Sequence, residues 1–158
     1  MDLIIWRHAD AGDPVADPSA DLDRRLTDRG RKQADRVARW LLARLPERYL
    51  LLSSPAARAR ETAAALGVKF KTEPGLAPGA DVADHLAVLN WPEGPEARVR
   101  HLVLVGHQPQ LGRLASLLLS GSEADWSVKK GSIWWLSTRE REGRAQIVLR
   151  AVIGPDLV

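Results

Sequence analysis

The sequence predicts an α/β fold: a three-layer sandwich with a mainly parallel central sheet, helices on both faces, and an antiparallel C-terminal edge hairpin. Two observations carry this. Up to about residue 120, short apolar runs rich in strand formers alternate with segments whose apolar residues recur at helical spacing. Beyond that point two strand-like runs follow one another with only a charged turn between them.

The elements follow in order. "LIIW" (3–6) is the first strand, and the Asp-, Pro- and Ala-rich stretch from Ala9 to Arg25 reads as a loop. Thr27 is placed to cap a helix from Asp28 to Leu45, whose Ala34, Val37, Ala38, Leu41, Leu42 and Leu45 form one apolar stripe that Pro46 ends. "YLLLS" (49–53) is the second strand. Ser54-Pro55 reads as an N-cap followed by proline at the first helical position, with Gly67 as the C-terminal stop. "VKFKT" (68–72) alternates as a third strand, Pro74 to Gly79 is a loop, and Asp81 caps a helix running to Trp91. "HLVLV" (101–105) is a buried strand ended by Gly106-His107, and Pro109 opens a helix through Leu119. "SIWWLS" (132–137) and "AQIVLRAVI" (145–153) form the hairpin around a turn at Arg139–Gly143.

A chain of 158 residues is expected to form one domain, 1–158, with a core large enough to need no cross-links. The chain has no cysteine, so thiolate nucleophiles, disulfides and Cys-based zinc sites are ruled out. Its four histidines, His8, His85, His101 and His107, show no helical metal pair, and neither a metal nor a cofactor is expected. No apolar run reaches the roughly 18 residues needed to span a bilayer, and Met1 leads straight into a strand, so a cytoplasmic protein without membrane contact is expected. Between Arg24 and Arg48 many cations are interleaved with Asp23, Asp28, Asp35 and Glu47. This mixture reads as the solvated side of an amphipathic helix, not as a nucleic-acid face, and no P-loop or GxGxxG occurs.

The chemistry gathers at predicted strand ends, where ligands of open α/β sheets bind. The first strand ends in Arg7-His8, the second in Ser54-Pro55 with Arg58 one turn on, and the fourth in Gly106-His107. If these strands are neighbours, two imidazoles, two guanidiniums and two helix N-termini meet at one rim. Arginine forks and helix N-termini bind phosphate well. A histidine facing such a phosphate can attack phosphorus through its unprotonated nitrogen.

Four stretches carry a resemblance to a known family. "WRHADA" (6–11) resembles the Arg-His-Gly signature of the histidine phosphatase superfamily, and "RRLTDRGRKQA" (24–34) its Leu-Thr-x-x-Gly-x-x-Gln-Ala helix start. "SSPAARARET" (53–62) is similar to its Ser-Pro-x-x-Arg-Ala-x-x-Thr motif, and "VLVGHQPQL" (103–111) to its second-histidine strand. The resemblance implies a phosphoglycerate mutase-like fold. It further implies His8 as nucleophile, Arg7 and Arg58 as phosphate ligands, and His107 as a second phosphate-facing histidine. The short length and the "RHADA" variant, with Ala9 in the place of glycine, resemble the compact branch of SixA-type phosphohistidine phosphatases.

That resemblance implies a metal-independent hydrolase acting through a phosphohistidine intermediate on phosphohistidine in a signalling protein. The alternatives are a phosphomonoesterase for a small phosphorylated metabolite and a phosphate-binding module without turnover. The mutase-like branch carries its acid in a Leu-x-Glu after the third strand, where this chain reads Leu76-Ala77-Pro78. The acid-phosphatase branch carries an aspartate directly after the second histidine, where this chain has Gln108. Asp10 and Asp81 are the spare acids, read first as a loop charge and an N-cap. His85 and His101 are read as structural or surface residues, and the six tryptophans as packing.

Overall fold

The computed structural model describes residues 1–158. Its elements are β1 (Asp2–Arg7), α1 (Pro18–Leu22), α2 (Asp28–Leu42), β2 (Leu50–Ser53), α3 (Ala57–Ala64), β3 (Lys71–Thr72), a 3-10 turn at Pro74–Leu76, α4 (Val82–Leu89), β4 (His101–Gly106), α5 (Gln110–Ser120), β5 (Ile133–Arg141) and β6 (Arg144–Ile153). The six strands form one sheet in the order β3-β2-β4-β1-β5-β6. β3, β2, β4 and β1 run parallel, while β5 pairs antiparallel with both β1 and β6. This is the mixed α/β sandwich the sequence predicts.

Strand alternation builds two cores, one on each face of the sheet. Ile4, Trp6, Leu51, Val103 and Val105 point to the face covered by Ala34, Val37, Ala38 and Leu41 of α2 and by Ala59 and Ala63 of α3. Leu3, Ile5, Leu52, Leu102 and Leu104 point to the other, against Val82 and Leu89 of α4 and Leu111, Leu114 and Ala115 of α5. The apolar runs of β1 and β4 are continuous because both faces are covered. Trp6 and Trp135 are buried and their indole N–H groups donate to Gly131 O and to Asp2.

The structure corrects the sequence reading in several places. The stretch 9–25 is not all loop: Pro18–Leu22 form α1, with Asp17 accepting the N–H groups of Ser19 and Ala20. α3 begins at Ala57 behind an Ala56 cap, not at Pro55, and Ser54 does not cap it. α2 and α4 end earlier than their apolar stripes, at Leu42 and at Leu89 before the left-handed Asn90. Only Lys71–Thr72 of "VKFKT" join the sheet, as an exposed two-residue edge. The hairpin continues through the charged residues to a tight turn at Glu142-Gly143, both at positive φ.

Candidate active site

β4 lies between β2 and β1, so the C-terminal ends of these three parallel strands are adjacent. Each delivers one functional residue in the step that follows it: Ser54 after β2, His107 after β4 and His8 after β1. The His8 amide donates to Gly106 O at 3.1 Å and the Ser54 amide to Val105 O at 3.0 Å, which continues the ladder into the site. His8 and His107 face each other with ring centroids 5.1 Å apart and planes inclined at 51°.

Both rings are held in defined protonation states. His8 Nδ1–H donates to Ala9 O at 2.8 Å, and because a carbonyl only accepts, the free lone pair lies on Nε2. Burial, with the charges of Arg58, Arg7 and Arg24, pushes the His8 pKa down to about 3, although the Ala9 hydrogen bond opposes this. The ring is therefore neutral at physiological pH, with the Nε2 lone pair free. His107 is pushed down to about 2 by burial, then by His8, Arg58, His85 and Arg7.

The Ser54 hydroxyl lies 2.7 Å from His107 Nε2 and already accepts the Ala56 amide at 3.2 Å. Its proton has no other acceptor, so it donates to Nε2 and leaves the His107 proton on Nδ1. That nitrogen is buried without a partner, as are Nε of Arg7 and Nε of Arg58. Buried N–H groups are almost always satisfied. Three orphans on the residues around one histidine pair make a cradle of donors that matches a tetrahedral oxyanion.

The arginines are anchored from outside this cradle. Arg7 NH1 donates to Val128 O at 2.8 Å. Arg58 NH1 donates to Asp21 O at 2.7 Å, and its NH2 lies 3.2 Å from the Asp21 carboxylate. Burial alone would raise the Asp21 pKa, but the Val15 amide and the charges of Arg24 and Arg58 outweigh it and keep the carboxyl below its ordinary range. Asp21 was hidden in the stretch read as loop, although Asp17-Pro18 before it is a helix-start signal of the same kind as Ser54-Pro55.

The "LTDRGRKQA" motif serves the loop after His8. The Thr27 hydroxyl lies 2.8 Å from Asp10 Oδ2, Gln33 Oε1 accepts the Asp10 amide at 3.0 Å, and the Thr27 amide donates to Asp10 O at 3.0 Å. Gly30 is there because any Cβ would sit 1.9 Å from Asp10 O. Ala9, fully buried, donates its amide to Thr62 Oγ1, and Thr62 in turn donates to Arg58 O.

The remaining candidates are engaged elsewhere. Asp10 is held below the usual carboxylate range by its hydrogen bonds from Lys130 and Thr27. Asp81 forms a reciprocal capping box with Asp84 at the start of α4. Gln108 spans from Trp126 O to the Gly112 amide. His101 lies 3.4 Å from Asp2 at the opposite end of β4. His85 is the exception: its Nδ1 donates to Asp81 O, but its buried Nε2 has no partner and the ring is near enough to act on His107.

Residues 3–79 match the family model of the histidine phosphatase superfamily, branch 1. An uncharacterized protein of Picosynechococcus sp. is 38% identical over 154 residues, covering 93% of this chain and 88% of that one. The structure of the protein histidine phosphatase SixA complexed with tungstate superposes with a TM-score of 0.76 at 26% identity, covering 99% of this chain and 98% of that one. A SixA-type structure from Nakamurella multipartitia gives the same TM-score at 28% identity, covering 98% and 95%. The twin histidines at the ends of β1 and β4 thus lie in a chain that belongs to the histidine phosphatase superfamily, a phosphatase of SixA-like fold.

Proposed function

We propose that the protein hydrolyses phosphohistidine on a phosphoprotein, with His8 as nucleophile and Arg7, Arg58 and His107 as ligands of the transferring phosphoryl group. The observation that carries this is the neutral His8 ring, its Nδ1–H spent on Ala9 O, beside three buried donors without acceptors. The SixA relative was solved with tungstate, an oxyanion of the same tetrahedral shape as phosphate.

The chemistry follows from these atoms. The Nε2 lone pair of His8 attacks phosphorus as the bond from phosphorus to the leaving group breaks. His8 then carries phosphate on Nε2 and a proton on Nδ1, and the Ala9 carbonyl stabilises that N–H. Water next attacks phosphorus, and His8 departs as the neutral ring it was at the start. The arginine charges and the His107 N–H offset the negative charge of the phosphoryl oxygens throughout.

The state of the carboxylates supports phosphohistidine as the substrate class. Asp21, through the Val15 amide and its arginines, and Asp10, through Lys130 and Thr27, are both held below the ordinary carboxylate range, and Asp81 is tied into its cap. None is poised to protonate an alkoxide, a contribution worth ~10²–10⁴ in rate. A phosphorylated imidazole needs no such acid, because its second nitrogen carries a proton and the ring leaves neutral. The pKa of an ordinary imidazolium is about 6.5, so this leaving group is far less basic than an alkoxide.

The test is a leaving-group series running from phosphohistidine peptides through aryl phosphates to alkyl phosphates. The logarithm of kcat/KM is expected to fall steeply with leaving-group pKa, and Asp10→Asn and Asp81→Asn to leave phosphohistidine turnover nearly unchanged. A flat series, with alkyl phosphates of small metabolites turned over as well as phosphohistidine, would reject the reading in favour of a metabolite phosphatase.

A further inference from the structure

Beside Arg7 a cleft of about 860 Å³ opens along α2, and apart from Pro155 its lining is charged or polar, with no aliphatic or aromatic side chain. Its cations are Arg7, Arg29, Lys32, Arg36, Lys129 and Lys130, against the two acids Asp10 and Asp156. Lys130 is paired with Asp10 at 2.9 Å and Arg7 belongs to the phosphate cradle. Arg29, Lys32, Arg36 and Lys129 form no ion pair within 4 Å and are exposed, although Arg29 is near enough to act on Asp10.

The charges that look mixed in sequence are sorted by the helix. Positions 29, 32 and 36 recur at i, i+3 and i+7 and so share the cleft face. Asp28 instead pairs with Arg31, and Arg31 and Asp35 line a different hollow with Leu26 and Ala34. At 1.5 Å per residue, the row from Arg29 to Arg36 is about 10 Å long. It starts where α2 packs on Asp10, two residues beyond His8.

We propose that this cleft is the docking groove for an acidic segment of the phosphoprotein substrate, about three extended residues long and adjoining the phosphohistidine. The inference rests on the phosphohistidine reading above. Two features select this occupant. Peptides that bind through apolar or aromatic anchors need pockets that this lining lacks. The free cations are solvated and spread along a helix, unlike the buried donors around His8, so they match several separated carboxylates better than one compact phosphate.

The experiment compares two phosphohistidine peptides that differ only in their flank, three glutamates against three glutamines. With the wild type at low salt, kcat/KM should be about tenfold higher for the acidic flank, from a few exposed charge pairs acting together. The preference should vanish in 0.5 M salt, about a fourfold shorter Debye length than at ~0.03 M. It should also vanish in the double variant K32Q/R36Q, whose rate on the glutamine-flanked peptide stays that of the wild type. Equal kcat/KM for both peptides in the wild type would overturn the docking groove while leaving the phosphohistidine reading intact. Turnover of aryl phosphates with neither peptide hydrolysed would remove that reading and the groove with it. Inorganic tripolyphosphate inhibiting more tightly than the unphosphorylated acidic peptide, in a manner lost in K32Q/R36Q, would assign the cleft to a small polyanion and also overturn the proposal.

Discussion

The two nitrogens of His8 have separate tasks, and the backbone enforces the division. Nδ1–H is committed to Ala9 O, which leaves Nε2 as the only nitrogen able to attack. Nitrogen-15 spectra of the imidazoles should therefore show His8 as the Nδ1–H tautomer, with neither His8 nor His107 titrating between pH 5 and 8. A midpoint near 6.5 for either ring would mean that burial and the arginines do not set its charge. Ser54 has a comparable role for His107, since its hydroxyl is the one donor to Nε2. Ser54→Ala leaves a buried nitrogen unpaired, a loss of ~1–3 kcal/mol, which is about 5- to 150-fold in kcat/KM if it falls on the transition state. Steady-state kinetics showing less than a twofold loss would separate Ser54 from the work of His107.

At the scale of elements, α2 acts as a clamp on the loop that follows His8. Thr27, Gly30 and Gln33 all engage Asp10, and Gly30 permits the close approach. Gly30→Ala should destabilise the fold by ~1–3 kcal/mol, because neither backbone can yield freely, and should lower activity as the His8 loop shifts. A denaturant midpoint unchanged from wild type would show that α2 does not press on Asp10. The same motif shows what could be read in advance: its threonine, glycine and glutamine are spaced for one helix face, so their joint role is local. α1 could not be read that way, because a five-residue helix with no buried residue has no apolar stripe to reveal it. Its Asp17-Pro18 cap was the available signal. The equivalent signal at Ser54-Pro55 misled, because tertiary structure drew the serine hydroxyl to His107 and the helix began two residues later.

For the whole molecule, the decisive fact is strand order. Residue patterns identify β1, β2 and β4, but only the sheet makes them neighbours with their carboxyl ends at one rim. That non-local pairing turns three scattered dipeptides into a site, and it also separates His101 at the far end of β4 from His107 at the near end. Keeping two neutral histidines buried has a cost in acid. Folded His8 and His107 take up protons only near pH 3 and 2, whereas an unfolded histidine does so near 6.5. Between those values the unfolded chain binds more protons, so these two rings make stability fall as pH drops below about 6.5. Thermal unfolding from pH 7 to 4.5 should therefore be less pH-dependent in His107→Gln than in the wild type, and an unchanged slope would argue against a buried neutral ring. The positive charge at the site comes from Arg7, Arg58 and N–H groups, so turnover should persist in EDTA. Loss on chelation with recovery in magnesium would show that these groups do not suffice.

If phosphate passes through His8, rapid-quench labelling catches it there. Wild-type protein mixed with a ³²P-labelled phosphohistidine peptide and quenched in base should carry an acid-labile, base-stable label that maps to His8. His8→Ala should fold normally, take up no label and release no phosphate. Label on any other residue, or turnover in His8→Ala close to that of the wild type, would exclude His8 as the nucleophile.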